Sequence, residues 1–183
     1  MFFENLETER LILKNVGKED VNFIYNLFSP GNDEVNRFHP DDAPYKNISE
    51  ADDEINEYIV PEPRNLHQWI IIRKTDKIKM GSCVFHEWDR KNGKVDIHYD
   101  LNRQFWNNGY MQESIKRIVK FAIEKMDIIE INACIDVENI RSINLVKKLG
   151  FIENGFENGQ YKNGKKYIDC NYTLFINKII EIN

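Results

Sequence analysis

Asp100-Leu101-Asn102-Arg103-Gln104-Phe105-Trp106-Asn107-Asn108-Gly109-Tyr110-Met111-Gln112-Glu113-Ser114 is the stretch that decides how this chain folds. The residues leading into it, Val95-Asp96-Ile97-His98-Tyr99-Asp100-Leu101, alternate between apolar and polar and read as a strand. The residues leading out place Met111, Ile115, Ile118, Val119, Ala122, Ile123 and Met126 at the spacing of one helix face. Between strand and helix lies a short polar loop ending in Asn108-Gly109. Such a junction is a ready site for an anion. The N–H groups of the first helical turn have no partner inside the helix, and the helix dipole adds partial positive charge there. Gly109 removes a side chain where a phosphate would have to approach the backbone.

Upstream, His67–Arg73, Lys79–Trp88 and Lys94–Leu101 are rich in β-branched and aromatic residues and read as strands, with Asn92-Gly93 as a hairpin turn between the last two. Glu9–Lys14 reads as a first strand. Lys18-Glu19-Asp20 opens a helix carrying Val21, Ile24, Tyr25 and Phe28, which Ser29-Pro30-Gly31 stops. From Asp33 to Glu62 the chain is irregular and acidic. Asp33, Glu34, Asp41, Asp42, Glu50, Asp52, Asp53, Glu54, Glu57 and Glu62 face only Arg37 and Lys46. Ser49 has the form of an N-cap for a short helix to about Tyr58, ended by Pro61 and Pro63. Downstream, Glu130–Val137 alternates as a strand. Asn139–Lys148 is a short helix closed by Gly150, and a last hairpin pairs 156–162 with 165–175 through Asn163-Gly164. This order predicts an α+β domain with a mixed, mainly antiparallel sheet and helices on its faces.

The length, 183 residues, suits one domain over 1–183 with its own core. No apolar run approaches the roughly 20 residues of a membrane span. The N-terminus has neither a basic region nor an apolar stretch of signal-peptide type, so a cytoplasmic location is expected. Cys83, Cys134 and Cys170 are odd in number and widely spaced within apolar runs, and are expected to be reduced thiols in or near the core. A net charge of −5 with no basic cluster argues against a nucleic-acid partner. Cys83 and His86 stand three apart on a strand and face opposite sides, so neither a metal site nor a Cys/His pair is expected there.

Two motifs carry a family resemblance. Trp106-Asn107-Asn108-Gly109-Tyr110-Met111 resembles the acyl-CoA pyrophosphate loop of GNAT N-acetyltransferases, Q/R-x-x-G-x-G/A, and most of all the RimJ/RimL-like form Y-W-G-K-G-Y-A-T-E-A. Phe105, Trp106, Gly109, Tyr110 and Glu113 match that form, while Asn107 and Met111 depart from it. The second motif, Asn139 to Phe151, resembles the segment N-x-x-S/A-x-x-L-x-x-K-x-G-F that follows the fifth strand of that fold. Asn139, Ser142, Leu145, Lys148, Gly150 and Phe151 match. Element order follows the family from about Arg10 to Phe175, and the specific residues lie between Asp96 and Phe151.

The resemblance implies a GNAT fold, with a twisted sheet of about six to seven strands and about four helices. It implies acetyl-CoA as co-substrate, no metal, and direct acetyl transfer to an amine. Leu101, Asn102, Arg103, Trp106, Asn107, Asn108, Gly109, Tyr110 and Met111, with Asn139 and Ser142, would hold the CoA. An amine acceptor is cationic in water and must lose a proton before it attacks a thioester, so a base and a thiolate-protonating acid are required. Asp96, His98 and Asp100 share one strand face as base candidates, with Asp96 aligned to a family Glu, and Glu87 on the neighbouring strand is another. Many family members place a tyrosine acid where this chain has Val146. Ser142 is the expected substitute, and Tyr99 is expected in the core. The acceptor is a protein N-terminal amine, as the branch suggests, or a small polyamine or aminoglycoside. The other function class is an acyl-CoA-binding domain without turnover. No membrane or nucleic-acid partner is expected, and a homodimer is compatible with the family.

Overall fold

Six of the seven residues of His67–Arg73 are buried, a pattern only a strand covered on both faces sustains. That strand is β3 in a computed structural model that describes residues 3–39, 44–60, 64–161, 164 and 166–176. The other strands among the described residues are β1 (Leu6–Glu7), β2 (Leu11–Asn15), β4 (Lys79–Asp89), β5 (Lys94–Leu101), β6 (Glu130–Asp136), β7 (Ile152–Gln160) and β8 (Lys166–Phe175). These eight form one sheet in the order β1-β2-β3-β4-β5-β6-β8-β7. Neighbours are antiparallel except β5 and β6, which run parallel. Parallel neighbours need a crossover. The helix Tyr110–Lys125 supplies it. It is α4, after α1 (Val21–Leu27), α2 (Asp33–Asn36) and α3 (Ile48–Tyr58), and before α5 (Ile140–Lys148).

Two apolar cores sit on opposite faces of the sheet. On one face α4 buries Met111, Ile115, Ile118, Val119 and Ala122 against Leu11, Leu13, Trp69, Phe85, Val95 and Ile97. On the other, Ile24 and Leu27 of α1 and Ala51 and Ile55 of α3 pack on Ile70 and Ile72. This second core covers the β2–β3 end. Farther along the same face, Cys134 is exposed and Asn132, Asp136, Asp169 and Asn171 are partly exposed.

The sheet has one or two more strands, and one more α-helix, than the sequence predicts. The expected first strand is β2, and the two-residue β1 precedes it, joined by a tight turn where Leu11 N–H donates to Thr8 Oγ1 (2.9 Å). Asp33–Asn36 forms a single helical turn inside the segment expected to be irregular. The cap of α3 is Asn47, whose side chain accepts from Ser49 N–H (3.0 Å), so the cap lies two residues before the expected Ser49. The β4–β5 connection is wider than a two-residue Asn-Gly turn, because Asp89 accepts from the N–H groups of Lys91 and Asn92 and pairs with Lys94. Cys83 and Cys170 are buried as expected, whereas Cys134 is exposed, because β6 turns it to the uncovered face. Asp41, Asp42, Pro61, Glu62, Pro63, Lys162, Asn163 and Lys165 lie outside the described residues. No helix among the described residues is long and apolar enough to cross a membrane.

One close contact sets the position of the end of β5. Gly81 on β4 pairs with Leu101, and a Cβ at residue 81 would stand 2.0 Å from the Asp100 carbonyl oxygen and 2.8 Å from Leu101 Cα. Only glycine allows the two backbones to lie this close. Gly81→Ala is therefore expected to lower unfolding stability by about 1–3 kcal/mol, through the displacement it forces on Asp100 and Leu101. A urea denaturation curve with a wild-type midpoint would show that the strands separate at no cost.

Candidate active site

The parallel ladder of β5 and β6 is short. It pairs Lys94 with Glu130, Val95 with Ile131 and Asp96 with Asn132, and then stops, although β5 runs on to Leu101 and β6 to Asp136. Beyond Asp96 the strands diverge, and the gap becomes a cleft of about 460 Å³. Ile97 to Leu101 form one wall and Ala133 to Asp136 the other. A splayed pair leaves backbone N–H and C=O groups facing the gap, where an extended amide-bearing ligand can meet them.

At one end of the cleft lies the loop that enters α4. Gly109 is the N-cap, with φ +76°, and makes no side-chain capping bond. The first i→i−4 bond at this end is Glu113 N–H to Gly109 O (3.0 Å), so the N–H groups of Gly109, Tyr110, Met111 and Gln112 precede it. Asn107, also at positive φ (61°), turns the chain into this cap, a conformation asparagine tolerates better than most residues. The loop is braced from β2. Arg10 pairs with Glu113 (2.6 Å), donates to Asn108 O (3.1 Å) and stacks over the Tyr110 ring (4.7 Å). Glu113 also accepts from Thr8 Oγ1 and from the Arg10 N–H. Glu113 thus holds the loop to the β1–β2 turn. On the cleft side Trp106 Nε1 donates to Leu101 O (2.6 Å), and Arg141 from α5 lies over the Trp106 ring (4.3 Å).

Of the residues expected to hold CoA, Leu101, Trp106, Asn107, Gly109, Tyr110, Met111, Asn139 and Ser142 line the cleft. Asn102, Arg103 and Asn108 are not among its lining. Asn102 N–H donates to Met80 O (2.8 Å), Arg103 pairs with Glu34 (2.7 Å), and the Asn108 amide folds back on Trp106 O (2.8 Å). The Asn139 side chain caps α5 by accepting from Ser142 N–H (3.2 Å).

The expected catalytic residues separate. Ser142 lies in the cleft and its Oγ is 2.6 Å from the Tyr99 hydroxyl. Tyr99 lines the cleft too, where the sequence suggests only a core residue. Burial raises its phenol above the ordinary range, against the lowering effect of the Ser142 bond, so it stays protonated and able to donate. Val146 is fully buried, which takes the family's usual tyrosine position out of the cleft. Asp96 accepts from Asn132 Nδ2 (3.2 Å), and Glu87 is exposed at the β4 bulge with φ 51°. Neither is among the residues lining the cleft.

Opposite Tyr99, three side chains converge. His39 Nε2 lies 2.8 Å from Asp100 Oδ1, and His98 Nε2 lies 3.1 Å from Asp100 Oδ2. All three line the cleft, and Asp100 is only 9% exposed. Burial would raise its carboxyl, but the two imidazoles outweigh burial and hold it well below the usual carboxylate range. His39 follows the single turn of α2 in an irregular stretch, so no periodicity in the sequence points to it. Of the seven described acids in the 33–62 stretch, only Glu34 lines the cleft. The other lining carboxylates are Asp100, Asp136 and Asp169. Asp52 instead pairs with Lys18, and Glu54 with the Tyr45 hydroxyl.

Residues 10–152 match the family described as acetyltransferase (GNAT) domain. The uncharacterized N-acetyltransferase p20 of Bacillus licheniformis is 30% identical over 169 residues, covering 91% of this chain and 92% of p20. YdaF of Bacillus subtilis, described as a candidate ribosomal N-acetyltransferase, is 26% identical over 95 residues, 51% of this chain and 52% of its own. Among solved structures, spermidine N-acetyltransferase from Vibrio cholerae, in complex with CoA and spermine, superposes with a TM-score of 0.82 at 17% identity. That match covers 94% of this chain and 99% of the other.

Gly109 offers the sharpest test of the loop. A Cβ there meets no protein atom closer than Arg10 Nη2 at 3.5 Å, so the fold has room for it, at a cost in φ. A phosphate group at the helix terminus would not have that room. Gly109→Val should weaken acetyl-CoA binding at least about 10-fold, or roughly 1.4 kcal/mol. The apolar face of α4 should keep the helix folded. Calorimetric titration giving wild-type affinity would remove the pyrophosphate from this loop.

Proposed function

The chain belongs to the GNAT acetyltransferase family and is an acetyl-CoA-dependent N-acetyltransferase, and we propose that it belongs to the RimJ/RimL-like branch and acetylates a protein N-terminal amine. The observation that carries the mechanism is the splay of β5 from β6 beyond Asp96 and Asn132, which makes a cleft with a helix N-terminus at one end. The pyrophosphate of CoA is assigned to the N–H groups before Glu113, with Arg141 nearby as a cation. The pantetheine amides are assigned to the diverging strand edges.

The reaction forms a C–N bond and breaks a C–S bond. Two protons leave the nitrogen overall; one ends on the CoA sulfur and the other in solvent. A neutral phenol and a hydroxyl in contact, Tyr99 and Ser142, suit the protonation of the departing thiolate. They stand in for the tyrosine that Val146 replaces. The acceptor reading draws on the match of the loop to the RimJ/RimL-like form and on the description of YdaF. A small polyamine is the second reading. It is favoured by the lining carboxylates Glu34, Asp100, Asp136 and Asp169, which raise the local concentration of a cation, and by the fold shared with a spermidine acetyltransferase.

An acceptor panel followed by thiol release from acetyl-CoA separates these. N-terminal peptides should be the fastest acceptors. Spermidine outrunning every peptide would establish the second reading, and an anionic amine as best acceptor would sink both. With the best acceptor in hand, Ser142→Ala and Tyr99→Phe should each lower kcat, by up to about 100-fold for the group that donates, with acetyl-CoA affinity nearly unchanged. Equal losses in kcat and affinity would assign the pair to cofactor binding instead.

A further inference from the structure

The base that the reaction requires is assigned by the two histidines that share Asp100. We propose that His98 takes the proton from the acceptor amine, and that Asp100 and His39 position it. This rests on the acetyltransferase reading and adds to it the proton-accepting residue.

Asp100 is an acceptor only, so both imidazole nitrogens that face it must carry hydrogen. With Nε2–H committed to Asp100, the remaining nitrogen of His98, Nδ1, carries the lone pair. The His98 side chain is 44% exposed and lines the cleft, so that lone pair can reach a bound amine. When His98 gains a proton at Nδ1, its Nε2–H still faces the Asp100 carboxylate and holds the ring in place. Both Asp100 oxygens are engaged, one by each histidine, and this fixes the carboxylate plane. His39 stands edge-on to His98, with ring centroids 4.7 Å apart, and so limits its rotation.

The placement along β5 matters as much as the triad. Consecutive strand residues point to opposite faces. His98 therefore serves one side of the cleft and Tyr99 the other. Acyl transfer makes this demand, because the amine approaches the carbonyl from one side while the thiolate departs on another. The first proton removed from R–NH₃⁺ goes to His98 Nδ1, and His98 returns it to solvent. The proton delivered to sulfur as the C–S bond breaks comes from the Tyr99–Ser142 side, and the second proton, lost by the nitrogen once the C–N bond has formed, restores that pair. Asp96 and Glu87 do not share this placement, since neither is among the cleft lining.

His98→Ala, assayed with the best acceptor, is expected to lower kcat about 100-fold, with KM and acetyl-CoA affinity within a few-fold of wild type. Added imidazole should restore a large part of the lost rate. Asp100→Asn should also lower kcat, because an amide offers only one acceptor to two histidines. His39→Gln keeps an N–H donor for Asp100 but removes the ring that stands against His98, and should lower kcat by less than Asp100→Asn does. A kcat for His98→Ala within about threefold of wild type would overturn the assignment, as would a lost rate that imidazole leaves unchanged. If His98→Ala does not fold, His98→Asn tests the same point, with the same two outcomes deciding. Wild-type protein that binds acetyl-CoA but shows no dependence on His98 loses only the base. Wild-type protein that binds no acetyl-CoA loses the acetyltransferase reading and the base together.

Discussion

The ladder between β5 and β6 ends after three residue pairs, and the cleft proposed as the active site depends on that ending. Two paired strands satisfy each other's backbone and leave nothing for a ligand. Two strands that stay in one sheet but part midway offer a polar edge inside a folded core. The parting is enforced from both sides. On the β5 side, Gly81 draws the end of the strand against β4, and Asn102 N–H is tied to Met80 O. On the β6 side, that strand is held along its whole length by the antiparallel ladder with β8, from Glu130–Phe175 to Asp136–Asp169. Each strand follows its outer partner, and the cleft lies where the partners diverge.

The loop that closes one end of this cleft is held by charge rather than by packing alone. Its glycine cap brings no side chain to satisfy the helix N–H groups, which keeps them available and would otherwise weaken the helix start. The compensation comes from Glu113 in the first turn, a favourable place for an acid at the positive end of the helix dipole. Its charge is not left to compete with an incoming phosphate, because Arg10 and Thr8 already hold it. The matching Glu of the family loop thus acts here as a brace between helix and sheet. The loop residues whose backbone faces the cleft are free of that duty.

Much of this could be read from the chain. The strand His67–Arg73, the strand Lys94–Leu101 and the helix from Tyr110 follow the expected boundaries, because a long buried strand and a long amphipathic helix leave strong periodic signals. What escaped had weaker local signals or depended on distant partners. The two residues of β1 are too few for any period. His39 sits after a one-turn helix in an acidic stretch, and only the fold brings it to Asp100. Tyr99 alternates with its neighbours as a core residue would, and it becomes a cleft residue because β6 leaves its side. Of the described acids in the 33–62 stretch, Glu34 alone reaches the cleft. The charges of that stretch are in part spent on Lys18 and on the Tyr45 hydroxyl, while the cleft draws most of its carboxylates from strands β5, β6 and β8.

The division of charge along the cleft has a consequence for order of binding. The cations lining it, Arg141 and Lys148, both belong to α5, and Arg141 reaches the loop before α4 through Trp106. The carboxylates Asp100, Asp136 and Asp169 sit on the strand walls. An anion and a cation can therefore occupy the cleft together, each near complementary charge. The α2 region reaches both sides of this arrangement. Glu34 pairs with Arg103 before the loop, Arg37 pairs with Glu138 after β6, and His39 joins Asp100 on β5. One short segment thus touches the loop before α4, the opposite wall and the proposed base. Each of its two exposed ion pairs is worth about 1 kcal/mol or less, too little to hold the segment by itself. A bound acyl-CoA that drew Arg103 from Glu34 toward its phosphates would loosen the segment at its loop end alone. His39 would remain fixed to Asp100. The geometry is thus compatible with donor binding first and amine binding second, with the base set in place before either arrives.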